Sequence, residues 1–379
     1  MERIDEYLAE KLAVRKTQNA FRELQLPPGL IDFCSNDYLG LARLDLKPST
    51  TDLPVTSWGA TGSRLISGHS EMAEQLELFL AQFHQAEAAL LFNSGYQANL
   101  GLLSCLSTRH DTIVYDQLIH ASLRDGIQLS PAKAFNFAHN DIGDLARKLQ
   151  GAQGRKIVVI ESIYSMDGDE APIADILSIC EQFDAQLIVD EAHATGVFGP
   201  AGEGVVVARG LQDQVWARIH TFGKAVGAHG AVVVGSQLLK NYLINFSRAF
   251  IYTTALPDHL LQRVQLAYQE IQKGKKTLEL VTIINQFRSQ LSQESLLHFT
   301  DSQSSIQCLI LGGNSQTKDF SALLQKAGFD VRAILSPTVA SGKERLRICL
   351  HTFNTVEDIT VLTGLINKNI SVYAEGNFC

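Results

Sequence analysis

The chain has 379 residues, 45% of them hydrophobic, and a formal net charge of −8. That is ample apolar material for a large core and too much chain for one typical domain, so two domains are expected. The acidic balance, with no basic block, argues against nucleic acid or an acidic membrane surface as partner.

Cys34, Cys105, Cys180, Cys308, Cys349 and Cys379 are scattered, with no CxxC pair. They read as reduced thiols of a cytoplasmic protein, not a disulfide framework or a zinc site. The opening MERIDEYLAEKL is charged and helical, unlike a signal peptide. No apolar run is long enough to span a membrane.

Taken in chain order, Ile4, Leu8, Leu12 and Phe21 predict an amphipathic helix over about residues 2–24, closed by Pro27, Pro28 and Gly29. IDFCSNDYLGLA reads as a short strand and a polar turn, and residues 45–57 as a loop. In WGATGSRLISGHS, glycines and serines flank Arg64. Met72, Leu76, Phe79, Leu80 and Phe83 share one face of a predicted helix over 71–83.

From there β and α segments alternate. Strands are predicted at 88–92, 112–115, 156–160, 186–189, 218–221 and 231–234, with helices at 97–106 and 173–183. Short continuous apolar strands separated by helices imply an α/β fold with a mostly parallel central sheet covered by helices. Past Leu256-Pro257 the pattern changes to helices around 258–295, then strands at 305–311, 331–335 and 345–350, a helix at 319–327 and a last one from Val356. The expected division is an N-terminal helix and arm (1–40), a large α/β domain (41–265) and a smaller C-terminal α+β domain (266–379).

In a parallel sheet, sites form beyond the carboxyl ends of the strands. Asn93-Ser94-Gly95-Tyr96-Gln97 follows the first strand and opens a helix, where free N–H groups favour a phosphate. His120 follows the second strand; Glu161 and Ser165 follow the third. Asp190 and His193 follow the fourth. Lys224 follows the fifth, among Gly223, Ala225, Gly227, Ala228 and Gly230. A lysine held there loses water, which disfavours its ammonium form and leaves an amine able to form a Schiff base.

Each residue has a plainer reading. His120 suits a helix start, Ser165 a turn, and Asp190 with His193 a cap or a metal pair. A metal is disfavoured because no second Asp/His pair of ligand spacing accompanies them. His220 and His229, which flank the lysine, read as structural. Together, an acidic group, a histidine, a phosphate cradle and a Schiff-base lysine are what pyridoxal phosphate needs.

SNDYLGL, GSRLISG, FNSGYQAN, HASL, ESIYSMDGD, VDEAHATGVFG, TFGKAVG, IYTTALP and ERLRICL occur in this order. The set resembles the α-oxoamine synthases, fold-type I pyridoxal-phosphate enzymes that join an amino acid to an acyl thioester with loss of carbon dioxide. SRLISG and AHNDIGDLARKL favour the branch that joins L-alanine to a pimeloyl thioester in biotin biosynthesis, carried on coenzyme A or acyl carrier protein. Glycine with an acetyl thioester and serine with a long acyl thioester remain open as sister chemistries.

The resemblance implies that Lys224 holds the cofactor as a Schiff base and later takes the Cα proton. It implies that Asp190 pairs with the pyridine nitrogen, that His193 and Ser165 contact the ring's oxygen side, and that His120 stacks on the ring. Gly95 and Tyr96 would hold the cofactor, Thr221 its phosphate, and Thr254 would reach the same phosphate from the partner subunit, in a homodimer with the site at the interface. Arg22 and Thr338 match substrate-binding positions, and Arg347 would bind the amino acid carboxylate. Arg345, Arg347 and Cys349 alternate with Leu346, Ile348 and Leu350, which places Arg347 on the polar face of its strand.

Overall fold

The structure is a computed structural model describing residues 3–17, 21–24, 29–49, 54–55 and 57–374. Pro27, Pro28 and Cys379, and part of the loop expected at 45–57, lie outside the described residues.

Twelve strands run in chain order: β1 (Ile31–Asp32), β2 (Ala88–Phe92), β3 (Thr112–Asp116), β4 (Lys133–Phe137), β5 (Lys156–Glu161), β6 (Ala185–Asp190), β7 (Ala217–Thr221), β8 (Ala231–Gly235), β9 (Ile306–Ile310), β10 (Phe329–Asp330), β11 (Arg332–Ile334) and β12 (Arg345–Cys349). Seven of them form the central sheet in the order β2-β8-β7-β6-β5-β3-β4. β8 runs antiparallel to both its neighbours, and the other pairings are parallel. β5, β6 and β7 are buried along almost their whole length; β5 and β6 accordingly carry apolar runs without alternation, whereas β7 (ARIHT) buries the polar Arg218 and His220.

The parallel register sets Glu161 opposite Asp190 at the ends of β5 and β6. Two carboxyl side chains thereby arrive side by side, because both strands stop there. The turn between β7 and β8 carries Lys224 to the same end of the sheet.

Helices α1 (Ile4–Thr17), α2 (Glu71–Phe83), α3 (Gly95–Leu103), α4 (Ala121–Leu129), α5 (Ile142–Gln150) and α6 (Ile173–Gln182) precede the C-terminal part. α2 matches its predicted span. Ser70 caps it by accepting the N–H of Ala73 at 3.3 Å, and Met72, Leu76, Leu80 and Phe83 are buried. Each such fully buried side chain contributes roughly 1.5–3 kcal/mol. α1 departs from expectation. It ends at Thr17, short of Phe21, and none of its residues is buried, so its apolar stripe is left uncovered by the described residues. The sequence pattern does not predict β4 or α5; β4 is an edge strand whose residues are exposed except Phe137, and α4 starts after its cap His120.

The C-terminal part has a three-stranded antiparallel sheet, β11-β12-β9. β1 pairs in parallel with β10, which ties the N-terminal arm to this part of the chain. One apolar cluster runs through both, from Phe33 and Tyr38 to Leu346 and Ile370, and continues under the central sheet through Val232 and Val234. The expected division near residue 265 falls inside the helix Asp258–Ile271, which runs across it.

Among the described residues no helix is long and apolar enough to cross a membrane.

Candidate active site

A cavity of about 250 Å³ opens at the carboxyl ends of the central strands. Gly95, Tyr96, His120, Asp190, His193, Thr221 and Lys224 all line it. The topology accounts for this convergence: four separate strand ends and the start of α3 meet at one edge of the sheet.

Asp190 is held from two sides. Its Oδ1 accepts the N–H of Ala192 at 2.9 Å, and its Oδ2 accepts Asn99 Nδ2 at 2.8 Å. Asn99 also donates to Ser122 Oγ at 2.9 Å, and Ser122 Oγ lies 2.7 Å from His120 Nδ1. The Ser122 N–H donates to the same ring nitrogen at 3.2 Å. Nδ1 of His120 is therefore the acceptor, and in the neutral ring Nε2 carries the hydrogen.

Glu161 lies at the cavity wall and is 3% exposed. Its carboxylate accepts the N–H groups of His120 at 2.5 Å and Ser165 at 3.3 Å. Burial, then the nearby charge of Asp190, pushes its carboxyl up to about 8, with Lys224 opposing. Lys224 itself is held below the ordinary lysine value by burial, against the pull of Asp190 and Glu161. An amine in this position reaches its reactive, uncharged form more readily than a surface lysine.

The lysine's turn is closed by the Gly227 N–H donating to the Lys224 carbonyl at 2.8 Å. Gly227 has φ +60°, and a Cβ there would lie 2.3 Å from the backbone nitrogen of Ala42. Only glycine fits, because the turn presses directly on the short 3-10 turn Leu41–Arg43 of the arm.

At the far wall, α3 begins under its cap, Ser94, whose Oγ accepts the Gln97 N–H at 3.2 Å. The first N–H groups of a helix have no acceptor within it and favour an anion. A Cβ on Gly95 would sit 2.4 Å from Thr221 Cγ2. Thr221 Oγ1 is buried without a hydrogen-bond partner. An unpaired hydroxyl beside a helix start fits a phosphate. A carboxylate fixed by two donors, Asp190, fits a protonated ring nitrogen. Both features agree with pyridoxal phosphate.

Other expected site residues stand elsewhere. Ser165 does not line the cavity; its N–H meets Glu161 and its carbonyl accepts Arg347 Nε at 2.8 Å. Arg347 is buried at 9% exposure, so the strand face it shares with Arg345 and Cys349 is packed and not solvated. Its Nη2 donates to Asn36 Oδ1 at 3.0 Å. Arg22, Thr254 and Thr338 are exposed and outside the cavity of this chain. Of the two flanking histidines, His220 is a core residue, stacked on His84 with centroids 3.6 Å apart. His229 lines the cavity.

Sequence reasoning missed Asn36, Asn99 and Ser122. Asn36 lies in SNDYLGL and Ser122 in HASL, so the motifs held the signal. Asn99 is one helical turn past Gly95 on the buried side of α3, a spacing that periodicity could have flagged.

The chain belongs to the aminotransferase class I and II family, pyridoxal-phosphate enzymes of fold type I; the family model matches residues 28–361. An 8-amino-7-oxononanoate synthase from Emericella nidulans is 41% identical, covering 95% of this chain and 94% of that protein. Among solved structures, serine palmitoyltransferase from S. paucimobilis with bound PLP-myriocin aldimine is 25% identical, with a TM-score of 0.85 over 97% of each chain. The 8-amino-7-oxononanoate synthase from Francisella tularensis is 28% identical, with a TM-score of 0.76 over 91% of this chain and 99% of that one.

Proposed function

We propose that this enzyme condenses L-alanine with a pimeloyl thioester, releasing carbon dioxide and forming 8-amino-7-oxononanoate for biotin synthesis. The observation that carries the reading is the 41% identity to a synthase of that name over nearly the whole of both chains. The cavity agrees with it, since it gathers a half-buried lysine, a fixed aspartate and three histidines in one place.

Pyridoxal phosphate, when bound, supplies the electron sink for carbanion chemistry at the amino acid α-carbon. Asp190, fixed by Asn99 and Ala192, would keep the pyridine nitrogen protonated. The start of α3 with Gly95, Tyr96 and Thr221 would take the phosphate, and His120 would lie against the ring. His193 would face the ring's phenolic oxygen, the side to which Ser165 is also assigned. Lys224 would hold the cofactor and then accept the Cα proton as a free amine. Arg347 would orient the amino acid carboxylate by its planar fork.

The enzyme would act in the cytoplasm as a homodimer, with Thr254 reaching the phosphate across the interface and Arg22 and Thr338 binding substrate. Support comes from the exposed position of these residues and from the large apolar side chains left exposed, such as Trp58, Ile66 and Tyr252.

The test is turnover by the purified holoenzyme. L-alanine with pimeloyl-coenzyme A or pimeloyl-acyl carrier protein should release carbon dioxide and yield the 8-amino-7-oxo product. Turnover of glycine with acetyl-coenzyme A, or serine with palmitoyl-coenzyme A, and none with alanine, would move the enzyme to a sister synthase.

A further inference from the structure

Behind the cavity a line of hydrogen bonds joins the small C-terminal sheet to His193. Arg347 Nη2 lies 3.0 Å from Asn36 Oδ1, Tyr38 Oη lies 3.0 Å from the same Oδ1, and Tyr38 Oη lies 2.8 Å from His193 Nδ1. Tyr38 is fully buried and His193 is 4% exposed.

The direction of each bond follows from one end. A guanidinium only donates, so the Asn36 atom facing Arg347 must be the carbonyl oxygen; the amide nitrogen there would set donor against donor. Tyr38 shares that oxygen and must spend its single hydroxyl hydrogen on it. Its own oxygen then has only lone pairs left for His193. Nδ1 of His193 must therefore carry a hydrogen.

We infer that Tyr38 is a positioning residue that fixes His193 as the Nδ1–H tautomer, leaving Nε2 as a bare acceptor on the cavity side of the ring. Burial holds the His193 ring well below the ordinary histidine value, so the ring is neutral and the tautomer is a real choice. His120 carries its hydrogen on the opposite nitrogen, for the reason given above. The two histidines thus present unlike atoms, a donor from His120 and an acceptor from His193. The assignment rests on hydrogen bonding alone and holds whichever acyl group the enzyme uses.

The test is nitrogen-15 NMR of the full chain, labelled at its histidines and loaded with pyridoxal phosphate. A His193→Gln variant identifies the His193 signals among the 11 histidines. The wild-type ring should be predominantly Nδ1–H. In Tyr38→Phe the acceptor for that hydrogen is gone, and in Asn36→Ala the tyrosine hydrogen turns toward the ring. Both changes should shift the majority to Nε2–H. Tyr38→Phe keeps the buried ring, and Asn36→Ala gives a second route should the first fail to fold. A predominantly Nε2–H ring in the wild type, or an unchanged Nδ1–H ring in the variants, would overturn the assignment.

Discussion

Asn99 and Asp190 are joined by a hydrogen bond of 2.8 Å, from the amide nitrogen to Oδ2, with both side chains almost wholly buried. The bond holds Oδ2 of a carboxylate that arrives at the end of β6, while the Ala192 N–H holds Oδ1. Replacing Asn99 with alanine removes one charge-assisted bond, worth about 1.5–3 kcal/mol. Affinity for pyridoxal phosphate should fall roughly tenfold to a hundredfold. Asn99→Asp should be worse, because a second carboxylate would compete with Asp190 for charge. Fluorescence titration of the cofactor-free protein measures both. Wild-type affinity in the alanine variant would show that Asp190 needs no such partner.

Lys224→Ala should lower turnover at least about ten-thousandfold, since one side chain serves as both nucleophile and base. The fold should survive, because Lys224 is half-buried at a cavity edge and its turn is closed by backbone atoms. A steady-state assay beside a thermal melt separates the two effects. Residual turnover near the wild-type rate would remove Lys224 from its proposed role.

Gly95→Ala should weaken cofactor binding through a clash with one methyl group, Cγ2 of Thr221 at 2.4 Å. Overpacking of this kind costs about 1–3 kcal/mol. Thr221→Ser removes that methyl and keeps the hydroxyl. The double variant Gly95→Ala/Thr221→Ser should therefore bind better than Gly95→Ala alone. A double variant no better than the single one would mean that the clash lies elsewhere.

His139 lies between Asp116 at 3.1 Å and Asp169 at 2.8 Å. Burial opposes its charge, but the two carboxylates outweigh burial and raise it from 6.5 to about 10. A raised histidine stabilises the fold fully below pH 6.5, and that contribution fades as pH rises toward about 10. His139→Gln should lower stability by about 1–3 kcal/mol near neutral pH. The gap between the wild-type and variant urea midpoints should narrow as pH climbs from 7 toward about 10. A gap constant across that range would mean that His139 is not charged in the folded protein.

Where a strand is buried on both faces, its sequence is an apolar run that ends at a polar residue. β5 and β6 are legible for that reason, and with them the placement of Glu161 and Asp190, whereas β7 buries Arg218 and His220 and carries no such run. β4 was not legible, because an edge strand with its residues in water carries no such run. The site's direct contacts were readable from residue type, whereas the supports were not. Asn99, Ser122 and Asn36 act through side-chain hydrogen bonds between segments far apart in sequence, so motif and spacing could flag the residues but not whom they bond. Arg347 shows the limit of strand alternation. The period put it on the same face as Arg345, but only the packed structure shows that this face is turned inward against Ser165.

The contact between Gly227 and Ala42 makes the lysine turn and the N-terminal arm one mechanical part. Arg43 pins the arm from its other side, lying over the Phe353 ring at 3.6 Å and pairing with Asp32 at 2.8 Å. The position of the reactive amine is therefore inherited from residues far upstream that never touch it. Nicking the backbone between Gly40 and Asp45 would leave every cavity residue in place in the sequence, yet free the turn to drift. Loss of activity after such a cut would come from a lost footing under Lys224, not from a lost functional group.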